Sequence, residues 1–402
     1  MFTKEDVDYI RKLASELKEI AQNPIHAENI IRWKNHNSLK GDKPMVFVHP
    51  DGAWRELLPY DSLVCADGYL KGIEYQLRQK LIRAEYVRDD VPIIGEIIVR
   101  KHISNTMWGI HPKFNYSAQN NGAGCYSPII ETVSDWEKLL FPVIGYDEVS
   151  TMKMFEDVSE CFGDILPVRL VGITNFSFHL MHWYCDYRGL DAMLSDLYDE
   201  PDTVHSVMRF FTDGIKHMLK QYEDLGLVSG NADDTFHYTG GIGYTDELPS
   251  ETNKLSDVWA SAEAQEFSCV SPEMHEEFVL QYEREIMEHF GLNGYGCCDD
   301  LSRNLPNVLK MKNLRRVAVC PWADIAEFTP VLKKNYIMTW KPQPAHLAYD
   351  KLNEDEIFAE LSDGIRKADG GILELILRDT HTCRNEPERF NRWIEIARKA
   401  IG

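Results

Sequence analysis

Residues 271–298 read SPEMHEEFVLQYEREIMEHFGLNGYGCC. Met274, Phe278, Tyr282, Ile286 and Phe290 recur every four residues, so one helical face is apolar. Ser271 stands where an N-cap belongs, Pro272 takes the first helical position, and Gly291 ends the run. A short apolar strand, 292–297, comes at once after it. Helices that feed directly into strands build parallel α/β sheets.

The alternation continues in both directions. Strands are predicted downstream at 316–320, 336–340 and 372–377, and upstream at 44–48, 93–99, 167–173 and 235–239. Between them lie helical patterns. Val204, Met208, Phe211, Ile215, Met218 and Tyr222 lie between Pro201 and Gly226. Asn353 with Glu356 reads as a capping box, and Phe390, Trp393, Ala397 and Ile401 mark the last helix. Another helix spans 70–84, and the first opens near Thr3 with Asp6 at its third position. Eight strands, mostly followed by helices, predict an α/β protein: a single (β/α)8 TIM-type barrel over 1–402. Residues 1–40 form an N-terminal helical extension. Residues 101–150 lack a clean period and include Asn120-Asn121-Gly122-Ala123-Gly124; they read as an insertion after strand 2, over the barrel mouth. Gly240-Gly241-Ile242-Gly243 does not open a helix, so it reads as a mobile loop over the mouth and not as a dinucleotide site.

Hydrophobic residues make up 44%, ample for a large core. A net charge of −21 argues against nucleic acid and anionic membrane surfaces as partners, though not against a small anionic substrate. No apolar run approaches the ~20 residues of a membrane span, and the charged N-terminus is not a signal peptide. Nine cysteines, an odd number without an export signal, fit reduced thiols in the cytoplasm.

In such barrels chemistry sits where strands end. The predicted ends present His237; Tyr295, Cys297 and Cys298; Cys320, Trp322 and Asp324; Trp340 and Lys341; and Arg378, Asp379, His381 and Cys383. Thiolate and imidazole suit Zn²⁺, which makes His237, Cys297, Cys298, Cys320, His381 and Cys383 candidate metal ligands. Any one of these cysteines alone reads first as buried filler, and only the set together points to a metal. Tyr295, Trp322, Trp340 and Lys341 are candidate substrate contacts. Glu96, a carboxylate amid isoleucines, and Asp379 are candidate catalytic acids, with helix capping the other reading for Asp379. His179 and His182 read as structural, with substrate contact the alternative.

Six stretches carry a resemblance: Gly-Tyr-Thr-Asp-Glu-Leu-Pro (243–249), Ser-Pro-Glu-Met-His-Glu-Glu-Phe (271–278), Tyr-Gly-Cys-Cys (295–298), Pro-Trp-Ala-Asp (321–324), Trp-Lys-Pro-Gln-Pro-Ala (340–345) and Arg-Asp-Thr-His-Thr (378–382). Over roughly 160–402 the chain resembles the uroporphyrinogen decarboxylase superfamily, in its uncharacterised and cobalamin-dependent methyltransferase-like branches. The resemblance implies a (β/α)8 barrel and a zinc held by His-x-Cys and a later Cys. Cys297 falls at the first cysteine and Cys383 near the last, but Tyr295 stands at the histidine. The decarboxylase's propionate-gripping Arg-Gln-Ala-Gly-Arg type segment is replaced by His49-Pro50-Asp51-Gly52-Ala53-Trp54. No Asp-x-His-x-x-Gly corrinoid-binding segment occurs, so cobalamin would arrive on a partner protein. The resemblance thus implies zinc-assisted methyl transfer, from a small molecule such as a methoxylated aromatic, to a separate corrinoid protein. The alternatives are a metal-independent decarboxylase or lyase, with Arg378, Lys341 and Asp379 positioning the substrate, and a non-catalytic ligand-binding barrel. An oligomer is compatible with each.

Overall fold

Strands form where apolar runs are buried on both faces, and the C-terminal half supplies them in series. The structure, a computed structural model, describes residues 2–117 and 124–402. Its strands are β1 (Met45–Val48), β2 (Ile97–Arg100), β3 (His102–Asn105), β4 (Lys113–Asn115), β5 (Cys125–Ser127), β6 (Ile144–Asp147), β7 (Val168–Val171), β8 (Ser177–Phe178), β9 (Trp259–Ala262), β10 (Leu292–Tyr295), β11 (Leu314–Val319), β12 (Ile337–Trp340) and β13 (Ile372–Leu377). Seven of them make one parallel sheet in the order β1-β13-β12-β11-β10-β9-β8. All six residues of β13 are buried, as expected for a strand covered on both faces.

The fold is therefore mixed α/β around a seven-stranded parallel sheet, and no hydrogen-bonded ladder among the described residues closes it into a barrel. The strands predicted at 93–99 and 167–173 appear as β2 and β7, which pair only with each other in parallel. At the free edge of β1 two carboxylates take the place of a neighbouring strand. Val46 N–H donates to Asp90 Oδ2 and Val48 N–H to Asp89 Oδ2, each at 2.8 Å. Arg83 and Arg32 pair with these buried acids at 2.7 and 2.9 Å.

The strand predicted at 235–239 is instead one arm of a hairpin, bridged at Phe236 and Ile242. The hairpin enters the interior of the sheet, which corrects the reading of Gly240–Gly243 as a mobile lid. Gly241 has φ +66°, and a Cβ there would lie 2.6 Å from Glu374 Oε2, so only glycine fits. Strand β9 escapes prediction because Trp-Ala-Ser-Ala has little β-branched character.

In the opening stretch, Ser271 Oγ accepts from Met274 N–H at 3.3 Å, as an N-cap should. The helix then runs through one π-turn, Glu276–Leu280, to Met287. Gly291 is not a left-handed cap: a Cβ there would sit 2.4 Å from Ser256 O, so its role is close approach. In the 101–150 segment, β3 pairs with β6 and β4 with β5, antiparallel. Trp108 packs on Phe211 at 4.8 Å and Trp136 stacks on Tyr184 at 4.7 Å, which fixes the segment to helices Pro201–Asp224 and Leu180–Arg188. Residues 120–123 of its glycine-containing tract lie outside the described residues. The N-terminal helix Lys4–Ala21 buries Ile10, Leu13 and Leu17 in a second core with Leu70, Leu77, Ile97 and Phe162. No helix of the described residues is long and apolar enough to cross a membrane.

Candidate functional site

A parallel sheet brings the C-terminal ends of its strands to one end of the molecule, and here the polar groups collect directly after those ends. His49 and Asp51 come after β1, His179 after β8 and Glu263 after β9. Cys297 and Cys298 come after β10, Lys341 after β12, and Arg378 and Asp379 after β13. The interior hairpin adds Tyr238 from below.

The centre of this mouth is Cys297. Its sulfur lies 3.5 Å from the Cys298 sulfur, and Cys298 Sγ lies 3.6 Å from Asp379 Oδ2. Lys341 Nζ donates to the Cys297 carbonyl at 2.7 Å, and Arg378 Nη1 donates to the Tyr238 carbonyl at 2.8 Å. The Cys298 hydrogen bond, then the positive charges of Lys341 and Arg378, outweigh burial and bring the Cys297 thiol down to about 5. The same hydrogen bond, with burial, raises Cys298, so the pair is one thiolate and one thiol at neutral pH. Asp51 closes the rim: its Oδ1 is 2.7 Å from His49 Nδ1, and its Oδ2 accepts from Asp379 N–H at 2.5 Å.

On the opposite wall His179 Nδ1 bonds to Glu263, and His179 Nε2 lies 2.9 Å from Ser177 Oγ. The edge of the His179 ring meets Tyr238, centroids 4.3 Å apart. Burial raises Glu263, but the hydrogen bond and charge of His179 outweigh it, so the carboxyl is held below its ordinary range.

Of the residues singled out in the sequence, the mouth brings together His179, Cys297, Cys298, Lys341, Arg378 and Asp379. The others do different work. Tyr295 faces the helix layer, donating to Glu283 at 2.9 Å with His275 Nε2 at 3.1 Å. Trp340 packs outward where a Cβ on Gly364 would touch its ring, and Trp322 is 71% exposed. Glu96 precedes β2, at the opposite end of that strand, and is ion-paired with Arg169 at 3.0 Å. His237 lies in the buried hairpin, where burial and then Arg316 keep it neutral. Cys320 is buried, and burial raises its thiol; Asp324 caps the helix Ile325–Leu332. Cys383 bonds to Glu56 at 3.2 Å and is pushed up to about 12, chiefly by burial. His381 lies against Gly52. Sequence reasoning missed Tyr238, Glu263 and the Ser177–His179 pair. The last was legible as Ser-x-His, since residues two apart share a strand face.

A catalytic zinc takes three protein ligands and one open position. Cys297, Cys298 and Asp379 follow one another in a row, and no group of three or more His, Cys, Asp or Glu among the described residues is arranged to hold an ion. The donor set therefore does not fit the zinc that the resemblance implied. A cavity of about 1300 Å³ lies away from the mouth, between the N-terminal helices and Glu388–Ile401. Its Arg32, Arg83 and Arg398 already pair with Asp89 and Asp90.

No protein-family model matches the chain, and no curated protein does. Among solved structures it is similar to a methyltransferase from Methanosarcina mazei, with a TM-score of 0.47 and 9% identity, over 92% of this chain and 98% of that one.

Proposed function

We propose that the chain is an enzyme of methyl transfer whose reacting group is the Cys297 thiolate. The observation that carries this reading is the placement of the Cys297 sulfur in the mouth, 3.5 Å from Cys298 Sγ and beside the cations Lys341 and Arg378, which favour its thiolate. A thiolate is a strong, soft nucleophile. A small methylated molecule enters with its methyl carbon at Cys297 Sγ. The sulfur–carbon bond forms as the bond from carbon to oxygen or nitrogen breaks. The departing atom takes the Cys298 proton, which water later restores, and Lys341 and Arg378 hold any carboxylate on the substrate. The methyl group then leaves for an acceptor on a separate corrinoid protein, as the sequence resemblance implies, and Cys297 is again a thiolate. No metal enters this scheme.

A decarboxylase or lyase is the second reading. It is favoured by Arg378 Nε, buried with no hydrogen bond and only Asp379 Oδ1 at 3.8 Å, a cation open to a substrate carboxylate. The test incubates the chain with methoxylated aromatics, methanol and methylamines beside reduced cob(I)alamin. Loss of the Co(I) absorbance is expected with the parent chain and not with Cys297→Ser. Carbon dioxide release from a carboxylated substrate without corrinoid would replace this reading with the second.

A further inference from the structure

Ser177, His179 and Glu263 take no part in the scheme above, yet they form a connected chain on the facing wall of the mouth. Strand β8 pairs Ser177 with Ser261 and Phe178 with Ala262. The two-residue period turns Phe178 away onto Phe290, centroids 5.6 Å apart, and leaves Ser177 and His179 on the same side. Glu263, the residue after β9, comes alongside. Its carboxylate holds His179 Nδ1, and its second oxygen accepts from Gln265 N–H at 2.8 Å. Glu263 beside Nδ1 favours the Nδ1–H tautomer, and in that neutral form Nε2 is the acceptor facing Ser177 Oγ at 2.9 Å. Glu263 is 1% exposed and the His179 side chain 17%, so the orienting acid is sealed while the imidazole opens to the mouth.

We infer that Ser177 is a second nucleophile, activated by His179 and Glu263, and that the mouth transfers the acyl group of small carboxylic esters. Nucleophile, base and orienting acid stand in the order that acyl transfer requires, recognised by geometry and not by fold. Ser177 Oγ bonds to the ester carbonyl carbon as its proton passes to His179 Nε2. The carbon–oxygen bond to the alcohol breaks, and His179 returns that proton to the departing oxygen. Water, deprotonated by His179, then attacks the acyl-serine; the acid leaves and Ser177 regains its hydrogen. The Glu263 carboxylate stabilises the imidazolium in both halves. No oxidant, metal or further co-reactant is needed. This activity is separate from methyl transfer, because it uses an oxygen nucleophile on another strand.

The test treats the full chain with a fluorophosphonate probe and maps the modified residue by tandem mass spectrometry. Phosphonylation of Ser177 is expected, with hydrolysis of p-nitrophenyl acetate. Ser177→Ala should lose the label, and His179→Gln and Glu263→Gln should slow it, the first by about 100-fold. Circular dichroism melting confirms that each variant is folded. The parent chain, folded but unlabelled at Ser177, would overturn the inference even if no variant could be prepared. So would a labelling rate unchanged in folded His179→Gln and Glu263→Gln. The result at Cys297 does not enter, so either reading can fail alone.

Discussion

The interior of the sheet has a floor and a mouth, both polar, and they differ in how their charges are closed. On the floor Arg316 of β11 and Glu374 of β13 are fully buried. Arg316 donates to Asn37 Oδ1 at 2.6 Å and to the Gly240 and Ile242 carbonyls, and its guanidinium lies over Trp259. Glu374 accepts from Thr339 at 2.5 Å and faces His36 Nε2 at 3.3 Å. Arg316 Nε, Glu374 Oε2 and both His36 ring nitrogens make no hydrogen bond, but all are sealed from solvent beneath the hairpin, so the network specifies how the hairpin seats. At the mouth Cys297 and Lys341 are also nearly buried, but the His179 side chain is 17% exposed and Arg378 Nε makes no hydrogen bond. A network sealed from solvent serves the fold; one that reaches solvent is available for chemistry.

The largest effect should come from breaking the floor. Arg316→Met leaves Glu374 buried without its cation and should cost about 3–5 kcal/mol in urea unfolding. The same pair sets the acid limb of stability. Burial raises Glu374, but Arg316, His36 and Thr339 outweigh it and bring it to about 2, below the ordinary 4.5. A depressed carboxyl contributes stability that is complete above pH 4.5 and lost as pH falls toward 2; here that is about 3 kcal/mol. Urea unfolding at pH 5 and pH 3 should differ by about 2 kcal/mol of this, the rest being lost below pH 3. A parent chain equally stable at both, or an Arg316→Met variant as stable as the parent, would show that the floor is no structural network.

A smaller effect sharpens the contrast by touching neither region. Ser271→Ala removes the cap that Met274 N–H uses and should cost about 1 kcal/mol, with reactivity at Cys297 unchanged. Altered reactivity would mean that this helix positions the mouth. The least change of all is expected in metal content. Zinc per chain should stay well below one and be the same in Cys297→Ser, by elemental analysis without chelator. Stoichiometric zinc that Cys297→Ser abolishes would make the mouth a metal centre.

Much of the fold was legible because the C-terminal half obeys simple periodicities: β10 to β13 lie where apolar runs and helix stops place them. The rest escaped for physical reasons. Strand β9 is Trp-Ala-Ser-Ala, chosen by close packing and not by β propensity. The hairpin at 233–243 resembles an exposed glycine loop because glycines serve both exposed turns and tight interior approaches. In the site, Cys297, Cys298, Lys341 and Asp379 were legible because each stands just past the end of an apolar strand run. Trp340 was misplaced because it stands one residue before Lys341, so the pleat turns it to the helices; Tyr295 stands two before Cys297, but Gly296 between them, at φ +90°, breaks the alternation. Glu263 could not be found until its strand was.

The pH dependence of its alkylation decides whether Cys297 is the thiolate of the pair at neutral pH. Iodoacetamide modification of Cys297, measured peptide by peptide with Cys383 as internal reference, should be level from pH 6 to pH 8, with its midpoint near 5. Cys383, pushed up to about 12, should react negligibly over that range. A Cys297 rate that climbs tenfold per pH unit through neutrality, as for an ordinary thiol with a value near ~8.5, would contradict the account.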